Sequence, residues 1–282
     1  MESLKAVLDR FYREYDFAGR IAHDPIRFPH RYREPHDIEV AAFLASSLAY
    51  GKVELFSAVL EKIFGIMGEH PYEFVLDFDV KKHGEMFAGI KYRFNENSDL
   101  LALLFLLRAL LKKHRSIEKA LKAHYRKDDQ NIGGALAGLM SSFRGTDTSA
   151  VYGTDLRPYG LRQFFPSPAD GSACKRANLF LRWMIRDRDI DFGLWKGIPG
   201  NKLVIPLDTH IARISRCLGL THRRSQDWKT AVEITRSLAG LDPEDPLKYD
   251  FALCHHGISG MCGGKKSDDP CDACVFAKTK RG

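Results

Sequence analysis

Hydrophobic residues recur three and four positions apart along most of this chain, which is the spacing of one face of an α-helix. The segments with this pattern are residues 4–11, 38–48, 55–66, 100–111, 117–124 and 132–143. Alternating strand patterns are scarce, so the chain is predicted to be all-α. Stretches rich in proline, glycine and other turn residues interrupt the helices at residues 23–36, 95–99, 145–160 and 189–206.

The composition is that of a folded protein with an excess of basic residues. Of the 282 residues, 44% are hydrophobic and the formal net charge is +7, which excludes a disordered chain and favours an anionic partner. The N-terminus lacks the basic-then-apolar layout of a secretory signal. The longest apolar stretch, residues 100–111, is interrupted by Arg108 and is too short to span a bilayer. We expect a cytoplasmic monomer with no membrane role.

The first segment with candidate chemistry is a turn of small residues that leads into an amphipathic helix, at residues 170–186. Lys175 falls in the first turn of that helix. The helix dipole disfavours a cation there and Arg176 repels it, so both effects favour the uncharged, nucleophilic amine. Residues 171–188 carry five basic side chains and one acidic side chain, which suits a phosphate backbone. A plain solvated basic face is the alternative.

A second helical segment follows at residues 205–220. Ile211, Ile214 and Leu218 form one apolar stripe, and Gly219 is placed to end the helix. Asp208 or Thr209 stands where an N-cap belongs, because a side-chain oxygen there can accept the free amide hydrogens of the first turn. On this evidence alone Asp208 is either a simple cap or a functional carboxylate.

Together the two segments resemble the helix-hairpin-helix DNA glycosylases, which include endonuclease III and the 8-oxoguanine glycosylases. The sequence G-S-A-C-K-R-A-N at residues 171–178 is similar to that family's hairpin L-P-G-x-G-x-K-T-A-N, and L-D-T-H at residues 207–210 is similar to its V-D-T-H. Residues 38–50 occupy the place of the family's early helix. The whole chain also resembles an uncharacterised bacterial family with G-S-A-C-K-R and I-P-L-D-T-H signatures.

The resemblance implies a fold of two helical domains with the active site in a cleft between them. One domain would span residues 31–188 and carry the hairpin and Lys175. The other would combine residues 1–30 with residues 189–282 and carry Asp208. The implied activity is excision of a damaged base from double-stranded DNA, with Lys175 and Asp208 as catalytic residues and with AP lyase activity through a lysine Schiff base.

The resemblance also implies which residues contact the DNA. The hairpin and its helix would bind the DNA backbone, and aromatic side chains would line the base pocket, although each aromatic residue could instead belong to the core. The predicted DNA-binding residues are Gly171, Ser172, Ala173, Arg176 and Arg182, and the predicted base-pocket residues are Tyr50, Phe192 and Trp195.

The chain departs from the family pattern in the hairpin and in the spacing of the two motifs. Ala173 replaces a glycine that approaches a DNA phosphate, and Asp170 stands where relatives often have proline. The distance from Lys175 to Asp208 is 33 residues, which resembles the archaeal 8-oxoguanine glycosylases more than endonuclease III. This spacing favours an oxidised purine such as 8-oxoguanine as the substrate. The extra residues, 191–197, could contact the extruded base or pack over the domain junction.

Four of the six cysteines lie near the C-terminus, where clustering in a reducing compartment indicates a metal site more than disulfides. The tail from Cys262 to Cys274 resembles the family's iron–sulfur loop, but one ligand is missing from its usual place. Cys254 could replace it, giving the set Cys254, Cys262, Cys271 and Cys274 for a [4Fe-4S] cluster. Zinc bound with His255 or His256 is an alternative. A further alternative is that Cys254 is a buried core thiol and that the tail binds no metal.

The sequence leaves two other functions open. The chain could be a non-catalytic nucleic-acid-binding protein in which Lys175 contacts phosphate. It could also be a monofunctional glycosylase that uses water activated by Asp208, with Lys175 in an electrostatic role.

Overall fold

The computed structural model describes residues 2–259 and 275–276, which are organised as helices and loops. The α-helices are α1 (Leu4–Arg13), α2 (Phe17–Arg20), α3 (Pro35–Leu48), α4 (Val53–Met67), α5 (Pro71–Asp77), α6 (Val80–His83), α7 (Asn97–His114), α8 (Ile117–Lys122), α9 (Gly133–Arg144), α10 (Ser149–Tyr152), α11 (Tyr159–Arg162), α12 (Lys175–Ile185), α13 (Thr209–Cys217), α14 (Trp228–Ala239) and α15 (Asp250–Ile258). Short 3-10 helices lie at Ile21–His23, Pro25–Arg27, Pro29–Arg31, Gly84–Phe87, Pro168–Asp170 and Gly200–Lys202. The described residues contain isolated β-bridges but no strand, so the predicted all-α class is confirmed.

Each of the six periodic segments forms a helix, and they correspond to α1, α3, α4, α7, α8 and α9. A carboxylate in the first turn of α3 joins this helix to α5. The helix begins at Pro35 with Glu34 as its N-cap, while buried Asp37 accepts a hydrogen bond from the backbone N–H of Tyr72 at 2.8 Å. Asp37 therefore caps the first turn of the neighbouring α5 and not its own helix.

The chain divides into two compact units. The central unit is the contiguous stretch Ile21–Asp170, and the terminal unit combines Met1–Arg20 with Gly171–Gly282. These boundaries differ from the predicted ones, residues 31–188 and 1–30 with 189–282. The physical reason is that residues 21–30 pack in the central unit, where Phe28 stacks on Phe64 with ring centroids 5.4 Å apart. Helix α12 belongs to the terminal unit.

Helix α12 supplies much of the terminal unit's core, because every residue from Asn178 to Ile185 is buried. The loop after it satisfies its free C-terminal carbonyls. The backbone N–H of Phe192 donates to the carbonyl of Trp183, and that of Trp195 donates to the carbonyl of Met184, both at 2.8 Å. Helices α13 and α15 pack against each other in the same unit.

The N-terminal helix α1 is held in the terminal unit by polar contacts. Asp9 accepts hydrogen bonds from Lys248 Nζ at 2.8 Å and from the Tyr249 hydroxyl at 2.7 Å. The hydroxyl of Tyr12 donates to Asp189 at 2.6 Å. These contacts explain why the first 20 residues group with the C-terminal part of the chain.

The core of the central unit is built around α7, which packs against α5, α8, α9, α10 and α11. Phe143 stacks on Phe43 and on Phe165, with ring centroids 5.4 and 4.7 Å apart. Within the described part of the chain, every helix is too short or too polar to cross a lipid bilayer.

Candidate active site

The hairpin begins with Gly171, which has a positive φ of 77°, a conformation that glycine adopts at little cost. Its carbonyl accepts a hydrogen bond from the backbone N–H of Trp228 at 2.9 Å, and Ser172 forms a β-bridge with Asp227. The turn is thus attached to the start of α14. Gly171 is exposed, and Ser172 and Ala173 are partly exposed.

Two side chains hold the hairpin against the first turn of α12. Buried Cys174 also has a positive φ, 51°, and its thiol donates to the carbonyl of Ser172 at 3.2 Å. The amide Nδ2 of Asn178 donates to the carbonyl of Ala173 at 3.1 Å. Lys175 is consequently fixed as the first residue of α12. The residues before the hairpin form only the four-residue α11 and a 3-10 helix, so a long first helix is lacking there.

Of the two residues predicted as the cap of α13, Asp208 is the N-cap. Its Oδ1 accepts hydrogen bonds from the backbone N–H groups of His210 and Ile211, at 2.9 and 3.0 Å. A carboxylate at a helix N-terminus is stabilised by the helix dipole. One oxygen of Asp208 is therefore used to cap the helix, and Oδ2 is left to face other side chains.

Oδ2 of Asp208 lies 3.8 Å from Nζ of Lys175, and their side chains are 21% and 32% exposed. The two residues predicted as a catalytic pair are thus brought together, 33 positions apart in sequence. The resemblance placed them on different domains, but both belong to the terminal unit. The separation is longer than a hydrogen bond, and such pairs often tighten only when substrate binds.

Cys254, on α15, is a further group at this carboxylate. Its Sγ is 3.7 Å from Oδ2 of Asp208, in the geometry of a weak S–H donor. Its three predicted partner ligands, Cys262, Cys271 and Cys274, lie outside the described residues. In the described part of the chain, His, Cys, Asp and Glu side chains form no group of three that could hold a metal.

The predicted metal role of Cys254 stays a prediction, because its partner ligands lie outside the described residues. In the described structure the thiol of Cys254 is placed to donate to the carboxylate of Asp208.

Arg182 is not on a basic surface, contrary to its predicted role in DNA binding. It is 2% exposed, and it pairs with Asp250 at 2.5 Å and with Asp191 at 3.2 Å. Arg186 is also buried and pairs with Asp191 and Asp245 at 3.0 and 2.8 Å. Two of the five basic side chains of residues 171–188 are therefore used inside the terminal unit.

This buried network contains more carboxylates than guanidinium groups. Burial, with a smaller contribution from the charge of Asp208, raises the pKa of Asp250 to about 6, although Arg182 acts in the opposite direction. Burial also raises the pKa of Asp191, against the lowering effect of Arg182 and Arg186. Sequence reasoning missed Asp250, whose only local signal is its position one helical turn before Cys254.

The three aromatic residues predicted for the base pocket lie in different surroundings. Trp195 is 3% exposed and packs edge-on against Phe180 with ring centroids 5.2 Å apart, so it belongs to the core. Phe192 is partly exposed in the loop that caps the end of α12. Tyr50 lies in the central unit and its hydroxyl donates to Asn95 at 2.5 Å. The loop at residues 191–197 therefore has a packing role.

Comparison with known proteins gives one match. A family model described as "Protein of unknown function (DUF2400)" matches residues 24–259, a range that contains Lys175, Asp208 and Cys254. No curated protein matches the chain. No solved structure matches it either.

Proposed function

We propose that this chain, which belongs to the DUF2400 family of proteins of unknown function, is a DNA glycosylase that removes a damaged base through a Schiff base on Lys175. One observation carries the proposal. A lysine at the start of one helix and a carboxylate that caps another are 3.8 Å apart and partly open to solvent. The hairpin sequence and the L-D-T-H sequence that supply them follow the order of the helix-hairpin-helix glycosylases.

The reaction begins when the target nucleotide rotates out of the duplex, because a stacked base cannot be reached. The free amine of Lys175 attacks the sugar C1′, and the bond from C1′ to the base breaks as the base leaves with a proton. Opening of the sugar ring then gives an imine between Nζ and C1′. Loss of a C2′ proton and departure of the 3′ phosphate would cut the strand, which is the AP lyase step.

Asp208 assists through the oxygen that the helix cap leaves available. Oδ2 can accept a proton from the lysine, and its negative charge can stabilise the positive charge that develops on the sugar. Because Oδ1 is held by two backbone N–H groups, the carboxylate does not need to reorganise during the reaction. The thiol of Cys254 on the same oxygen helps to orient it.

The hairpin is the proposed contact with the DNA backbone. Gly171 is exposed, and Ser172, Ala173 and Arg176 are partly exposed, so their backbone or side-chain groups can face a phosphate at the start of α12. Double-stranded DNA with a damaged base is the proposed partner. An oxidised purine such as 8-oxoguanine is the first lesion to test, because of the distance between the two motifs.

Borohydride trapping tests the proposal. Duplexes that each carry one lesion are incubated with the protein and sodium borohydride, which reduces an imine to a stable covalent link. Wild-type protein should be trapped on at least one lesion, and Lys175→Gln should abolish trapping. Lys229→Gln is the matched control, because Lys229 is an exposed lysine in the first turn of α14.

Three other outcomes of this assay would change the proposed function or the proposed nucleophile. Base release without trapping would replace the Schiff base with water activated by Asp208. Lesion binding without base release would make the chain a binding protein. Trapping that persists in Lys175→Gln would assign the nucleophile to another residue.

A further inference from the structure

A tight turn in the central unit presents a basic and an aromatic residue to solvent. The backbone N–H of Tyr92 donates to the carbonyl of Asn95 at 2.9 Å, and the N–H of Asn95 donates back to the carbonyl of Tyr92 at 2.8 Å. Between them, Arg93 has a positive φ of 52°, which a non-glycine residue adopts only at a cost in strain. Strain of this kind persists only where the surroundings hold the turn in place.

Hydrogen bonds and a close backbone contact hold this turn in place. The hydroxyl of Tyr50 donates to Oδ1 of Asn95 at 2.5 Å, and Nδ2 of Asn95 donates to the carbonyl of Gly160 at 2.7 Å. A Cβ atom on Gly160 would lie only 2.4 Å from the carbonyl oxygen of Phe94. Glycine at this position therefore allows α11 to approach the turn, and the contact fixes Phe94 relative to Tyr159.

The result is a pair of exposed aromatic rings held on a rigid base. Phe94 is 50% exposed and Tyr159 is 58% exposed. Their rings meet edge to face, with centroids 5.8 Å apart, and the guanidinium of Arg93 lies 5.5 Å from the centroid of the Phe94 ring. We call Arg93, Phe94 and Tyr159 the stacking surface. Exposed aromatic rings beside an arginine are typical of sites where unpaired bases stack.

A cavity lined by arginines lies in the same unit and shares α11 with the stacking surface. Its volume is about 290 Å³, and its lining residues are Arg144, Arg157, Leu161, Arg162, Phe165 and Asp170. We call it the arginine cavity. Tyr159 and Arg162 are three residues apart on α11, a rise of about 4.5 Å along the helix axis. One short helix therefore carries both an exposed ring of the stacking surface and a cationic group of the cavity.

The arginine cavity has a net positive charge. Of its three guanidinium groups, that of Arg144 pairs with Asp170 at 2.6 Å and that of Arg157 pairs with Asp155 at 3.2 Å, so Arg162 supplies the excess positive charge. Two of the arginines are held in place by carbonyl oxygens, because Arg144 donates to Phe165 at 2.6 Å and Arg157 donates to Thr146 at 2.5 Å. Guanidinium groups fixed in this way are suited to a phosphate.

We propose that the central unit binds an unpaired DNA strand, with its bases stacked on Phe94 and Tyr159 and a phosphate in the arginine cavity. The charge of the cavity and the flat exposed rings complement the two parts of a nucleotide. This inference rests on the proposed function only in naming DNA as the nucleic acid. It requires no catalysis by Lys175.

Binding of a fluorescent single-stranded oligodeoxynucleotide without a lesion, measured by anisotropy at several salt concentrations, tests the inference. Phe94→Ala and Tyr159→Ala should each weaken binding by about 5-fold to 150-fold, the effect of losing one stacked aromatic ring. Arg162→Ala should reduce the slope of log affinity against log salt by about 0.7, because one phosphate contact is lost. These side chains are exposed, so folding should be preserved.

Two control variants match these substitutions. Leu55→Ala removes an apolar side chain that is 55% exposed on α4, and Arg126→Ala removes an exposed arginine in the loop after α8. Both should bind as wild type. The inference fails if Phe94→Ala and Tyr159→Ala bind like Leu55→Ala, or if an RNA of the same sequence binds more tightly with the same sensitivity to the variants.

The binding assay tests the stacking surface and the trapping assay tests the proposed function, so either proposal can be overturned without the other. Lys175→Gln should lose trapping on lesions, and Phe94→Ala should weaken oligonucleotide binding, so each assay has its own variant. Normal binding with no trapping in the wild type would overturn the proposed function and leave the stacking surface in place. Normal trapping by the wild type, together with unchanged oligonucleotide binding by Phe94→Ala, would overturn the stacking surface and leave the proposed function in place.

Discussion

At the scale of single residues, Asp208 combines a structural role and a proposed chemical role on its two oxygens. Oδ1 caps α13, and Oδ2 faces Lys175 and Cys254. Substitutions can separate the two roles, because asparagine caps a helix about as well as aspartate does, whereas alanine does not cap.

We expect Asp208→Asn to keep the stability of the wild type and Asp208→Ala to lower the free energy of unfolding by about 0.5–2 kcal/mol. Both variants should slow borohydride trapping by about 100-fold or more, because both remove the carboxylate. Urea unfolding and trapping rates give the two quantities. Asp79→Asn is a matched control, since Asp79 caps α6 through the same two backbone positions. Trapping by Asp208→Asn at the wild-type rate would show that the carboxylate is only a cap.

The residues that sequence reasoning located correctly are those with a local signal. Asp208 is preceded by a loop and followed by an apolar stripe, so its capping position could be predicted. Lys175 follows a turn of small residues and begins a helix. Arg182 has no such signal, because its burial depends on Asp250, 68 residues later. The contact of Cys254 with Asp208 also depends on the packing of α13 against α15.

At the scale of helices, buried ion pairs join α12 to α15 and to the loop after α12. Arg182 pairs with Asp250 on α15 and with Asp191 in the loop. These contacts place the helix that begins with Lys175 beside the helix that carries Cys254. Such a network is sensitive to the loss of one partner, because the remaining charges are left buried.

We expect Arg182→Ala to lower the free energy of unfolding by about 3–5 kcal/mol, because Asp191 and Asp250 lose their shared partner. The exposed substitution Arg126→Ala should change it by about 0.5 kcal/mol or less. Urea unfolding of both variants measures the difference. If Arg182→Ala unfolds like the wild type but binds DNA more weakly, the originally predicted DNA contact is correct.

The raised pKa of Asp250 predicts a pH dependence with a definite sign. Burial shifts this pKa from 3.8 to about 6, so the folded protein holds a proton that the unfolded chain loses at lower pH. The stabilising contribution of protonated Asp250 is complete below pH 4 and is lost as the pH rises to about 6. The loss should be about 3 kcal/mol at most.

Comparison with Asp250→Asn isolates this effect, because other titrating groups cancel in the difference. Between pH 4 and pH 6 the unfolding free energy of the wild type should fall relative to that of Asp250→Asn, and above pH 6 the difference should be constant. Urea unfolding of both proteins at several pH values measures it. A difference that rises between pH 4 and pH 6 would mean that Arg182 outweighs burial and that Asp250 is already ionised in the folded protein in this range.

Longer helices were predictable and short ones were not. The six periodic segments became helices because each is long enough to show repeated apolar positions. Helices α2, α6, α10 and α11 have four residues each, about one turn, and one turn has no periodicity to detect. The hydrophobic pattern therefore does not predict α11, which carries Tyr159 and Arg162. It does not predict the surface that Tyr159 forms with Phe94 either.

At the scale of the whole molecule, the two units differ in whether their residues are contiguous in sequence. The central unit is one contiguous stretch, and the terminal unit is assembled from both ends of the chain. The family resemblance also implies a discontinuous arrangement, with boundaries that differ from those of the two compact units. Apolar patterning cannot show which unit a buried helix packs in, since α12 is apolar enough to serve either one.

Fragments cut at the two sets of boundaries should behave differently. Residues 21–170 keep Ile26 and Phe28, which are fully buried, and they end before α12. Residues 31–188 lose both of these side chains and gain α12, whose buried Phe180 and Trp183 would lack their partners in the terminal unit. We expect fragment 21–170 to be helical by circular dichroism and to unfold cooperatively on heating. Fragment 31–188 should aggregate or melt without a transition, because large apolar side chains are exposed. If fragment 31–188 were the better folded of the two, α12 would belong with the central unit, and Lys175 would lie apart from the unit that holds Asp208.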